Sequence, residues 1–87
     1  MHEYLIVVES GYKTTSANYR IWASEPLSQE AARQRFAALR AGADEALPAV
    51  AGAQVIDASD GQFLRLHKVR GALVLDRVTV GPASTQQ

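Results

Sequence analysis

Two histidines are the candidate general bases of this 87-residue chain, and their surroundings differ. His67 lies in the basic stretch Arg65-Leu66-His67-Lys68, whereas His2 follows the first methionine. A general base acts on a proton within hydrogen-bonding reach. The sequence contains no Gly-x-Ser-x-Gly elbow, phosphate-binding glycine-rich loop or dinucleotide fingerprint that would mark a catalytic centre. An enzyme that uses His67 is therefore our third hypothesis, and we predict that the protein is not an enzyme.

Metal and cofactor chemistry has little support in the residue types. The chain has no cysteine, which excludes thiol catalysis, disulfides and cysteine-based metal sites. The pairs His2–Glu3 and Asp57–Asp60 carry ligating side chains, but neither has the spacing of a known metal motif. Asp57 and Asp60 also flank a predicted turn, where aspartate is favoured because it caps backbone groups. We expect no metal site and no cofactor.

Arginine and aromatic side chains are the better candidates for binding. Arg20 and Trp22 alternate onto one face of the second predicted strand, while Arg65, His67 and Arg70 follow the fourth strand into its turn. Tryptophan and arginine are enriched among the anchors of protein interfaces. An arginine-flanked aromatic on an open sheet also suits single-stranded nucleic acid, through stacking and phosphate contacts. We predict a binding site formed by these five residues.

The charge balance separates these two kinds of partner. Nine basic residues match nine acidic ones, so the net charge gives no general attraction to nucleic acid or anionic membranes. Residues 1–61 carry five bases and eight acids, whereas residues 62–87 carry four bases and one acid. Many proteins of this size without catalytic residues are regulators or inhibitors, including those carried by phages and mobile elements, and we predict a small protein of this class that binds a protein partner. A sheet-based single-stranded nucleic-acid-binding protein is the alternative.

Membrane association is not expected from the hydropathy pattern. The apolar run Leu5-Ile6-Val7-Val8 is too short for a signal sequence or a membrane span, and no basic segment precedes it. We therefore expect a cytoplasmic protein.

Periodicity predicts a mostly antiparallel sheet of about five strands with one helix across one face, in the order ββαβββ. The strands are expected over residues 3–8, 14–23, 54–58, 62–69 and 72–80. A turn is expected at residues 9–11, and tight turns at Asp60-Gly61 and Arg70-Gly71. In the second strand, alternation places Ala17, Tyr19, Ile21 and Ala23 on one face and Asn18, Arg20, Trp22 and Ser24 on the other. We take the second set to be an exposed polar face on which Trp22 stands out.

Two endings are open for the helix that begins after the N-cap Ser28. An apolar stripe runs through Ala32, Phe36, Leu39, Ala43 and Leu47 and favours a helix that reaches Leu47. Gly42 favours an end at Ala41, because glycine commonly follows the last helical residues. We favour the longer helix. The whole forms a single α+β domain over residues 1–82, followed by a disordered tail at 83–87.

The core and the assembly follow from this arrangement. Residues expected to be buried are Leu5, Val7, Ile21, Phe36, Leu39, Val55, Leu64 and Val74. One helix covers only part of a five-stranded sheet, so the other face must be polar or covered by something else. We therefore expect a homodimer, formed through the uncovered sheet face or an edge strand.

Overall fold

A computed structural model describes residues 3–13 and 19–86, which form one five-stranded antiparallel sheet and one helix. The elements are β1 (Glu3–Tyr12), β2 (Arg20–Ala23), α1 (Gln29–Arg40), β3 (Gln54–Ser59), β4 (Gln62–Val69) and β5 (Ala72–Ala83). The strands lie in the order β2-β1-β5-β4-β3 across the sheet. The predicted α+β class and the order ββαβββ are confirmed.

The strands from β3 to β5 form an antiparallel meander, as the turn signals predict. β4 has the predicted bounds, and β3 is one residue longer than predicted. Arg70 and Gly71 both have positive φ, 51° and 83°, which is the backbone of a tight two-residue hairpin turn. β5 continues beyond its predicted end at residue 80 as far as Ala83, because Gly81, Pro82 and Ala83 pair with the start of β1. Residues 84–86 have no regular secondary structure, and residue 87 lies outside the described ranges.

The predicted turn at residues 9–11 is wrong. β1 runs through it to Tyr12, and the pairing with β5 shifts register between Glu9 and Tyr12. Gly11 has a φ of 78° in this bulge, a conformation that glycine adopts without strain. The predicted start of the second strand, residues 14–18, lies outside the described residues, and β2 pairs with β1 from Arg20 to Ala23.

The helix ends at the earlier of its two predicted positions. α1 stops at Arg40 with Ala41 as its C-cap, and Gly42 follows with a φ of 75°. The longer helix that we favoured is therefore wrong. Leu47 is nevertheless 2% exposed, because the segment after the helix folds back onto the core. The last two members of the apolar stripe belong to a connecting segment, in which Leu47 is buried and Ala43 is exposed.

The core lies between α1 and one face of the sheet, which we call the helix-side face. Its buried apolar residues are Ile6, Val8, Ala32, Leu39, Leu47, Phe63, Val74 and Val78. Phe36 is half-buried and packs edge-to-face on Phe63, with ring centroids 5.3 Å apart. Among the predicted core residues, Leu39 and Val74 are buried.

The opposite face of the sheet, which we call the open face, carries most of the residues wrongly expected in the core. Ile21 is 66% exposed, and Leu5, Val7 and Leu64 are half-buried on this face. Val55 is exposed on the edge strand β3. Within the described residues, no helix has the length and apolar character needed to cross a bilayer.

Candidate functional site

The structure brings four of the five predicted binding residues to the helix-side face. Trp22 pairs with Val8 across β2 and β1, and Val8 is a core residue. Arg65 and His67 lie in β4 on the same face, opposite Asp76 and Val74 of β5. The predicted exposed polar face of β2 is therefore wrong, because this face points towards the helix.

Ser24 of the predicted polar face and Arg70 of the predicted binding site lie in different surroundings. Ser24 is 7% exposed, and its hydroxyl accepts a hydrogen bond from the Ile6 amide. Arg70 stands apart from the other predicted binding residues, exposed at the β4–β5 turn.

A buried ionic cluster joins Arg65 and His67, two of the predicted binding residues, to Asp76. Asp76 is 2% exposed and accepts hydrogen bonds from Arg65 Nε at 2.8 Å and from His67 Nε2 at 3.0 Å. The Gly11 amide donates to the other carboxylate oxygen at 2.9 Å. Arg65 Nη1 donates to the carbonyl of Pro48 at 2.7 Å, which ties β4 to the segment after the helix. The cluster thus holds the sheet and the post-helix segment together.

The chemistry available to His67 is limited by these contacts. Because a carboxylate only accepts hydrogen bonds, the Nε2 atom that faces Asp76 carries the proton. The other nitrogen, Nδ1, is buried without a hydrogen-bond partner among the described residues. The adjoining opening, about 210 Å³, is lined by no hydroxyl or thiol group in the described ranges. Among the described residues, the opening therefore places no hydroxyl or thiol nucleophile beside His67.

Trp22 is occupied by contacts within the chain. The Arg35 guanidinium lies over its ring, 4.6 Å from the centroid, in a cation–π arrangement. Arg35 is held there by Asp44, whose carboxylate accepts from Arg35 Nε at 2.9 Å. Arg20 and Trp22 line a cavity of about 680 Å³ between β2 and the post-helix segment. The indole packs against the core, so it is not an exposed stacking platform.

The open face of the sheet is apolar, which we did not predict from the sequence. Eight aliphatic side chains from all five strands share it: Leu5, Val7, Ile21, Ile56, Leu64, Leu66, Leu73 and Leu75. Each is half-buried or exposed, with Leu73 58% exposed. Because β1 is apolar on both of its faces, its alternation does not tell which face meets the helix. The pairing register is the information that assigns these residues to one surface.

A charged pair lies near the middle of the open face. Arg77 donates two hydrogen bonds to Glu9, each 2.7 Å long, from Nε and Nη2. Tyr19 also donates its hydroxyl to Glu9. The hydrogen bonds from Arg77 and then Tyr19 lower the pKa of Glu9 to about 2, well below its ordinary value. Tyr12 and Leu75 complete a hollow of about 260 Å³ around this pair.

In the described part of the chain, no group of three His, Asp or Glu side chains is placed to hold a metal ion. Asp57 instead forms a two-point ion pair with Arg40.

No known protein family, curated protein or solved structure matches this chain.

Proposed function

We propose that this protein is a small non-enzymatic regulatory or inhibitory protein that acts by binding a protein partner through its open face. The observation that carries the proposal is the patch of aliphatic side chains left uncovered on that face, which includes Leu5 of β1 and Leu75 of β5. Large contiguous apolar patches are rare on monomeric proteins and mark interaction sites. Glu9 and Arg77 add a polar contact within the patch that can orient a partner.

The charge on the open face supports a protein partner rather than nucleic acid. Its basic side chains in the described residues are Arg77, already paired with Glu9, and Lys68, at the end of β4. Nucleic-acid binding usually needs several lysine or arginine side chains that are free of ion pairs and can contact phosphates. The aromatic platform that favoured this alternative is also weakened, because Arg35 already covers the ring of Trp22.

The proposed partners include a second copy of the chain. An uncovered aliphatic sheet face is stabilised when another such face covers it, since each buried Å² of apolar surface contributes about 25 cal/mol. Self-association and a different protein partner would use the same residues, so the surface is tested first without regard to the partner's identity.

A matched pair of substitutions tests this surface. Leu73 lies on the open face, and Val69 lies on the helix-side face beside the same turn. Both are well exposed, at 58% and 42%, so aspartate at either position should leave the fold intact. Wild type, Leu73→Asp and Val69→Asp would be immobilised and exposed to extract from the source cells, and the proteins retained would be compared by mass spectrometry.

We expect specific partners to be lost with Leu73→Asp and kept with Val69→Asp. Equal retention by both variants would contradict the open face as the binding surface. Fluorescence anisotropy with a labelled single-stranded RNA addresses the alternative function. Tight binding that weakens steeply as salt rises would favour nucleic acid over protein.

A further inference from the structure

We propose that the open face is covered by a second copy of this chain, related by a two-fold axis that runs along the strands between β1 and β5. This inference rests on the open face being a protein-binding surface. The axis is set by the pairing register, because Glu9 of β1 is the direct cross-strand neighbour of Arg77 of β5. A rotation about a line between these strands exchanges the two positions. Glu9 then faces Arg77 of the partner subunit, and Arg77 faces the partner subunit's Glu9.

Charge complementarity favours this axis over others. A two-fold axis that passed through Glu9 and Arg77 and ran across the strands would place Arg77 opposite the partner's Arg77. Such an axis would bring like charges together. Arg77 uses Nε and Nη2 for its own Glu9, so its third nitrogen has no partner among the described contacts and can donate across the interface. The charges on the open face also balance within the described residues, with Glu3 and Glu9 against Lys68 and Arg77. Two copies therefore meet without net repulsion.

The apolar residues fall opposite one another under the same rotation. In the row that contains Glu9 and Arg77, the next residues outward are Ile21 on β2 and Leu64 on β4. The two-fold axis places Ile21 opposite the partner's Leu64. In the neighbouring row, Tyr12 pairs with Leu75 and becomes the neighbour of the partner subunit's Leu75. Apolar side chains thus adjoin the central charges within their own row and in the row of Leu75, whereas the row on the other side combines Val7 with the polar Thr79 and Gln62.

The overlap across this axis reaches the minimum expected of a specific interface. Because the axis lies between β1 and β5, four of the five strands of each sheet face one another, and β3 lies outside the overlap. Four strands about 4.8 Å apart, contacting over about eight residues at about 3.3 Å each, cover roughly 19 Å by 26 Å. Two such faces together remove on the order of 1,000 Å² from solvent, the lower bound for a biological interface. Sheets of this kind pack about 10 Å apart with their strands nearly aligned, which matches an axis along the strands.

Reciprocal charge reversal tests the proposed axis. Wild type is expected to sediment as a dimer at micromolar concentration. Glu9→Arg gives a face with two bases at the centre, and Arg77→Glu gives a face with two acids, so each variant alone should dimerise at least tenfold more weakly. An equimolar mixture of the two should form a heterodimer, detected by its mass in native mass spectrometry, with the affinity recovered to within a few-fold of wild type.

The helix supplies a matched control. Glu30 and Arg33 form an exposed ion pair on α1, and their reversals Glu30→Arg and Arg33→Glu should leave the dimer unchanged. If the charge-reversed variants at 9 and 77 fail to fold by circular dichroism, cross-linking replaces them. The chain has no cysteine, so a mixture of Ile21→Cys and Leu64→Cys proteins reports a single contact. A short bis-maleimide should link the mixed pair faster than it links either protein to Val69→Cys.

Three results would overturn the inference. The first is a folded wild type that remains monomeric at 100 µM, the second a dimer in which the mixed reversals do not recover, and the third cross-linking at Val69→Cys as fast as at the mixed pair. A monomer that still loses its cellular partners with Leu73→Asp would leave the proposed function standing and exclude only the second copy. A protein whose partners are indifferent to Leu73→Asp would contradict the proposed function itself.

Discussion

Replacing Asp76 with alanine should destabilise the protein more than any surface substitution, because it breaks a buried ion pair from one side. Asp76 is 2% exposed, and the Arg65 side chain that it neutralises is 10% exposed. Removing one partner of a buried pair costs about 3–5 kcal/mol, since the other charge stays buried and uncompensated. The Gly11 amide and His67 Nε2 also lose their acceptor. A chain of this length has a total stability of about 4–13 kcal/mol, so the loss is a large part of it.

The measurement is urea unfolding followed by far-ultraviolet circular dichroism at pH 7. Asp76→Ala should lower the free energy of unfolding by about 3–5 kcal/mol. The double variant Arg65→Met/Asp76→Leu removes both charges and should be at least about 2 kcal/mol more stable than Asp76→Ala, because no unpaired charge remains. A loss below about 1 kcal/mol for Asp76→Ala would refute the reasoning, as would a double variant less stable than the single one.

Three further substitutions test the open face, the helix end and the core. Because hydrogen bonds from Arg77 and Tyr19 hold the folded-state pKa of Glu9 at about 2, below its ordinary 4.5, this stabilisation is complete above about pH 5 and is lost as pH falls towards 2. Arg77→Met should flatten that dependence in urea unfolding at a series of pH values. Gly42→Ala should be more destabilising than Gly52→Ala in thermal melts: both glycines have positive φ, but only the first would bring its Cβ to 2.6 Å from another side chain. Phe63→Ala, at a residue 1% exposed, should lower unfolding stability by about 3–5 kcal/mol, and a loss below about 1 kcal/mol would contradict its place in the core.

Local signals predicted the elements well where the residue types allow one backbone conformation. The Asp60-Gly61 and Arg70-Gly71 turns predicted the two hairpins, and Ser28 predicted the start of the helix, where its hydroxyl accepts from the Ala31 amide. The helix end was predicted wrongly because Leu47 is buried and continues the apolar stripe. Burial alone does not distinguish a helix from a chain that folds back onto the core.

The assignment of residues to faces could not be read from single strands. Val7 and Val8 are both aliphatic, yet only Val8 is in the core, and the pairing partners of β1 decide this. Trp22 was predicted to face solvent because its strand neighbours are polar. In the structure Arg35, from the distant helix, covers its ring. The candidate site therefore depended on long-range register, which a single sequence does not contain.

The pairing of β1 with β5 has a consequence for the order in which the chain folds. Glu3 lies opposite Ala83 and Tyr12 opposite Leu75, so this ladder joins positions about 60 to 80 residues apart, whereas β3, β4 and β5 are linked by tight turns. Closing a long loop carries an entropic cost before its contacts form, so pairings of high contact order arise late. We therefore expect the β3–β5 meander and the helix to form first, with β1 entering last between β2 and β5. Pulse-labelling hydrogen exchange should protect the amides shared by β4 and β5 before those of β1, and simultaneous protection would show that the sheet closes in one step.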